Sequence, residues 1–219
     1  MPQEPLETSD AESAETLPTF AGRLEQRLKE IRRTGTPAEI VAAAKDADSA
    51  IQARLGAADD GLSAEQRAAL LAAKRLLFNA AADCWPGWAV DSPRGSEAEL
   101  LGALELARRS GQLVEQLALG AAQEGTAIWL EGAFELALGR PDAALASFGR
   151  AERRYRDVPA PAQVLLMQGY AAIASAAGAA SPPEGAESLD RILAALASDD
   201  FEDGKEFQDQ LRVAHRIFA

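Results

Sequence analysis

Three observations predict an all-α protein. Alanine, the strongest intrinsic helix former, makes up about a fifth of the 219 residues. β-branched residues are sparse and no run alternates apolar and polar residues at period two, which argues against a sheet. Apolar residues instead recur at spacings of three and four between breaks marked by Gly and Pro. The predicted architecture is an α-α superhelix of antiparallel helix hairpins, with about nine to ten helices.

Each element has a local reason. Residues 1–17 are acidic, contain Pro and are poor in large apolar groups, so they are expected to form a disordered tail. A first helix is predicted over 19–33, where Phe20, Leu24, Leu28 and Ile31 share a face. Thr34-Gly35-Thr36-Pro37 stops it and starts a second, with Thr36 as cap. This second helix, over 37–55, buries Ile40, Val41, Ala44, Ala47, Ile51 and Leu55. After a turn from Gly56 to Gly61, Ser63 caps a third helix that ends near Asp83 and turns Leu70, Leu71, Leu77, Phe78 and Ala81 inward. Trp85-Pro86-Gly87-Trp88 breaks the pattern and opens a loop that runs to Ser96.

Helices are then expected over 96–109, 112–123, 125–138, 142–156, 160–177, 184–197 and 203–218, with Gly111 marking one of the turns. Their short connections make consecutive helices antiparallel neighbours. The exception is Gly178 to Gly185, an Ala/Ser/Pro-rich stretch expected to be a flexible loop. The predicted division is a tail at 1–17, an N-terminal helical region at 18–94, and a repeat-like region at 95–219 closed by a C-terminal helix.

Charge and rare residues exclude several function classes. A formal net charge of -12 opposes nucleic-acid binding, which needs a basic stripe. Glu4, Glu7, Asp10, Glu12 and Glu15 stand in the first twenty residues without any Lys or Arg. A second acidic run, Asp199, Asp200, Glu202, Asp203, Glu206 and Asp209, lies near the C-terminus; both runs read as solvated surface. One cysteine, Cys84, forms no internal disulfide, and one histidine, His215, leaves little for a metal site. Cys84 is flanked by Asp83, which disfavours a thiolate, so structural burial is expected. No phosphate loop, nucleophile elbow or paired-histidine motif is present, so no catalytic residue, metal or cofactor is predicted. There is no signal-peptide pattern and no apolar run long enough for a membrane span, so a cytoplasmic location is expected.

The segment Leu138-Gly139-Arg140-Pro141 reads as a helix end, a tight turn and a new start. In the helix that follows, small Ala144 and Ala151 bracket bulky Phe148, which suits one face to close contact with the preceding helix. With Gly132, Leu138 and Gly139 added, residues 125–158 resemble a tetratricopeptide repeat. The first-helix aromatic is displaced, with Trp129 one place late and Phe134 one place early, and Pro159 falls late. Weaker neighbouring units open at Leu101-Gly102 and Gln168-Gly169-Tyr170. An irregular helical bundle is the alternative.

The resemblance implies that first helices line a concave groove. The matching positions are Trp129, Ala133 and Leu136, then Leu166, Tyr170 and Ile173, and before them Glu99, Ala103 and Leu106. This mostly apolar lining implies an apolar helix or extended peptide as ligand, unless Trp129 and Tyr170 are core or are covered by the C-terminal helix. None of these positions carries the Lys, Asn or Arg of a carboxylate clamp. A second candidate is basic: Arg150, Arg153 and Arg154 share a helix face that suits an acidic partner or phosphate, or else pair with the chain's own acids. The Trp-Pro-Gly-Trp segment either displays tryptophan for recognition or folds both indoles back onto helix ends. The expected function is a non-catalytic protein- or peptide-binding adaptor. The alternatives are an accessory subunit of an enzyme complex, and a bundle that self-associates, as a homodimer, through the Trp loop.

Overall fold

The computed structural model describes residues 15–56, 61–92, 94–178, 183–198 and 201–219. Among these residues there are nine α-helices, one 3-10 turn and no strand. The helices are α1 (Leu17–Thr34), α2 (Pro37–Leu55), α3 (Ala64–Asp83), α4 (Glu97–Gln116), α5 (Ala121–Ala137), α6 (Pro141–Arg156), α7 (Pro161–Gly178), α8 (Pro183–Leu196) and α9 (Gly204–Phe218). The 3-10 turn, Pro86–Trp88, lies between α3 and α4. The expected tail lies outside the described residues up to position 14, and Leu17 already opens α1; of the expected loop at 178–185, residues 179–182 lie outside them, while Gly178 ends α7 and Pro183 opens α8 where a loop was expected.

Local signals explain where helices begin. Thr36, Ser63 and Ser96 each accept a bond from the backbone three residues on, while Glu39, Gln66 and Glu99 reach back to the cap nitrogen. Three capping boxes thus satisfy donors that a helix start leaves unpaired. Gly139, at φ 70°, closes α5 in the left-handed region, and Pro141 opens α6.

One expected helix boundary is overturned within the repeat-like region. Residues 96–109 and 112–123 are not two helices: α4 runs unbroken to Gln116 through Gly111. The break comes at Ala118 (φ 49°) and Gly120 (φ 88°). A single helical glycine costs only about 1 kcal/mol. The buried stripe of Leu106, Ser110, Leu113 and Val114 outweighs it by continuing across Gly111.

Each helix packs on the next in sequence, and α1 also meets α3, α2 meets α4, and α7 meets α9. This is the superhelical stacking that the short connections predict. One apolar cluster runs from Phe20 in α1 to Ala214 in α9. Ion pairs tie helices across it. Arg109 meets Asp48 at 2.9 Å and Arg75 meets Glu25 at 3.0 Å. Buried Glu135 takes Arg108 at 2.6 Å and Arg140 at 3.2 Å.

Candidate functional site

The residues expected to line a groove are core. Trp129, Ala133 and Leu136 of α5, Leu166, Tyr170 and Ile173 of α7, and Ala103 and Leu106 of α4 are all buried. Glu99 is half-buried and caps α4 through Ser96. What covers them belongs to the chain itself. Trp85 drives into the space and its indole N–H donates to the Ala133 carbonyl at 3.2 Å. Its ring meets Trp88 edge-on at 4.9 Å and Trp129 at 5.8 Å, and stacks on Phe218 of α9 at 6.2 Å. All three tryptophans of the chain therefore share one aromatic cluster with Tyr170 and Phe218.

α9 completes the closure. Gln210 donates to the Tyr170 hydroxyl at 2.8 Å, and buried Gln208 donates to the Leu193 carbonyl at 2.7 Å. Burial pushes the Tyr170 phenol far above its ordinary value. The expected apolar trough is thus filled. Periodicity marks which faces are apolar, but not which distant segment fills them. The two indoles of the Trp-Pro-Gly-Trp segment differ in burial. Trp85 is buried, whereas Trp88 donates to the Ala82 carbonyl at 2.6 Å yet remains 46% exposed.

An open trough lies on the other side of α5. At about 100° per residue, Glu131 stands roughly 200° around that helix from Trp129. Glu124, Ala127, Ile128 and Glu131 form the floor, with Arg108 and Glu115 of α4 on one wall and Arg150 and Arg154 of α6 on the other. Toward the C-terminal end of α6 it widens into a cleft of about 620 Å³, which Arg153, Arg156 and Asp157 also line. The predicted basic patch therefore forms the rim of an open surface.

The electrostatics of this trough are uneven. Arg154 pairs with Glu124 at 2.8 Å, Arg150 with Glu131 at 3.4 Å, and Arg156 with Glu152 at 2.6 Å. Arg153 has no ion pair among the described residues and is exposed. Burial raises the Glu131 carboxyl above its ordinary value, against the opposing pull of Arg150 and Arg108. Sequence reasoning did not select Arg108, Glu124 or Glu131. Acids seven apart on α5 and arginines four apart on α6, joined by a short turn, were the signal available for facing rows of opposite charge.

The remaining candidates are structural. Burial, with Asp83 and Glu99 adding to it, pushes the Cys84 thiol up to about 11, and its Sγ lies 3.9 Å from the Pro37 carbonyl. His215, in the last turn of α9, lines a cleft with Leu189 of α8 and with Arg212 and Arg216. Among the described residues no three His, Cys, Asp or Glu side chains are grouped to hold a metal, and no helix is long and apolar enough to cross a membrane. Compared with known proteins, the chain matches no family model, no curated protein and no solved structure.

Proposed function

We propose that this chain is a non-catalytic cytoplasmic adaptor, a tetratricopeptide-like stack of helix hairpins that takes an acidic segment of a partner protein into the trough over α5. The carrying observation is Arg153, an exposed guanidinium without an ion pair among the described residues, set among Arg150, Arg154 and Arg156 at the wide end of the trough. Half-buried Ile128 adds an apolar contact on the floor. The packing of Phe148 between Ala144 and Ala151 against Gly132 supports the repeat-like reading of α5 and α6.

A net charge of -12 repels an acidic partner at long range, but salt screens that repulsion beyond about 8 Å at physiological ionic strength. Contact chemistry then decides the outcome. Arginine forks carboxylates in bidentate fashion, and an exposed intramolecular pair contributes only about 0–1 kcal/mol. Arg150 and Arg154 hold the half-buried Glu131 and Glu124, so Arg153, which has no ion pair among the described residues, is the group that takes a partner's carboxylate without giving one up.

Fluorescence anisotropy with a labelled poly-glutamate peptide tests this reading. Arg153→Glu breaks no ion pair among the described residues, so it should leave the fold intact while weakening binding about tenfold. Equal binding by the variant and the parent chain rejects the trough as the site. Self-association is the second reading, favoured by Trp88 and Val90, which are 46% and 45% exposed within one loop. Sedimentation at several concentrations should show a dimer that Trp88→Ser dissociates; a monomer throughout removes that reading.

A further inference from the structure

We propose that the face formed by α1 and α2 is a dimer interface, on which a second copy of this chain lays its own α1 over α2 of the first. This surface is separate from the trough over α5 and from the Trp88 loop. The two helices are joined through Gly35 and Thr36 and leave between them a cleft of about 250 Å³. Leu24, Leu28 and Ile31 of α1 form one wall, and Ala43, Ala47 and Ala50 of α2 form the other. Leu28 and Ala47 are buried, whereas the other four are half-buried.

The charges on this cleft are of opposite sign and unused. Arg27 on α1 and Asp46 on α2 are exposed along it, and neither has an ion pair or hydrogen bond among the described residues. Their neighbours Arg32, Lys45 and Asp48 are instead held by Asp83, Glu105 and Arg109 of other helices. Arg27 precedes Gly35 by eight residues and Asp46 follows Thr36 by ten. At 1.5 Å per residue the two stand within about 3 Å of the same level.

Size and charge select the same symmetry. Two copies meeting face to face are related by a two-fold axis that runs either along the cleft or across it. The axis along the cleft sets α1 of each copy on α2 of the other. Arg27 then meets the partner's Asp46, and bulky Leu24 and Ile31 meet the alanine wall. The axis across the cleft sets like on like, so arginine repels arginine, leucines collide and alanines leave voids. Helices of 18 and 19 residues, about 27 Å long and about 10 Å wide, offer about 500 Å² per copy. A total near 1,000 Å² lies at the low end of specific interfaces, which suits a weak, reversible dimer.

Sedimentation velocity of the full chain, at concentrations up to about 0.5 mM, tests the proposal. Arg27→Glu and Asp46→Arg should each raise the dimer dissociation constant about tenfold, because each sets two like-charge pairs across the axis. The double variant restores opposite charges at both places, and so does an equimolar mixture of the two single variants. Both should return the constant to within about threefold of the parent value. A reversal that only disturbed its own chain gains nothing from mixing. Trp88→Ser should leave this dimer intact. A parent chain that stays monomeric overturns the proposal, as does a dimer that both reversals leave unchanged. Dissociation by the single variants without recovery on mixing overturns it too.

Discussion

Leu211 of α9 fills the place that a side chain on Gly169 of α7 would occupy: its Cδ1 stands 2.5 Å from that glycine's would-be β-carbon. The two helices approach this closely because position 169 carries no side chain, and Leu211 is fully buried as a result. The contact closes what would otherwise be an open face of α7.

Gly169→Ala should therefore destabilise the protein. Alanine gains about 1 kcal/mol of helix propensity over glycine, but overpacking of a filled core costs about 1–3 kcal/mol. Leu211→Ala alone should cost about 2–5 kcal/mol through the cavity it leaves. The double variant should cost clearly less than the sum of the two, because the new methyl occupies part of the void. Urea unfolding of all four chains checks this. Strict additivity would show that the two residues do not share the space.

The tryptophans should differ in what their indole nitrogens contribute. Trp85 donates to the Ala133 carbonyl, whereas the buried Trp129 nitrogen has only an approach to the Tyr170 hydroxyl that falls short of hydrogen-bond geometry. Trp85→Phe should cost about 1 kcal/mol more than Trp129→Phe, the value of one net hydrogen bond. Equal losses by thermal melting contradict the assignment of that bond.

Cys84 should be nearly inert in the folded chain. Its thiol is pushed from the ordinary 9.0 up to about 11, so the thiolate fraction at pH 8 falls about a hundredfold. Labelling with iodoacetamide at pH 8 should be at least that much slower in buffer than in guanidinium chloride. Comparable rates would show the thiol to be open.

Acid should remove the contribution of the capping glutamates. Bonds from the backbone and hydroxyl of Ser96 hold Glu99 below its ordinary 4.5, and Thr36 does the same for Glu39. A depressed folded value means that the stabilisation is complete above 4.5 and disappears as pH falls through the folded value. Glu99→Ala should lower the urea midpoint at pH 7, and its deficit against the parent chain should shrink steadily as the pH falls below 4.5. A deficit that persists in acid would point to lost packing, with the capping bond uninvolved.

Much of the fold is legible residue by residue. Thr36, Ser63 and Ser96 announce helix starts because a cap is a bond to the chain's own backbone three residues away. Gly139 and Pro141 mark the α5–α6 turn for the same local reason. Gly111 misleads because a glycine is only a weak stop, and its neighbours carry the buried stripe through it. Arg150, Arg153 and Arg154 stand out as a shared basic face, but the sequence does not say that α4 and α5 complete a trough beneath them.

Local sequence by itself determines that this chain is helical, where most helices start, and which side of each is apolar, since propensity, capping and periodicity act within a few residues. Tertiary structure alone decides which apolar faces remain open. Trp85 reaches α5 from a loop nearly fifty positions away, and Leu211 reaches α7 from forty-two away. Those contacts turn the expected apolar groove into core and leave the charged side of α5 as the accessible one. A side chain's pattern tells it to be buried, and only the folded chain supplies what buries it.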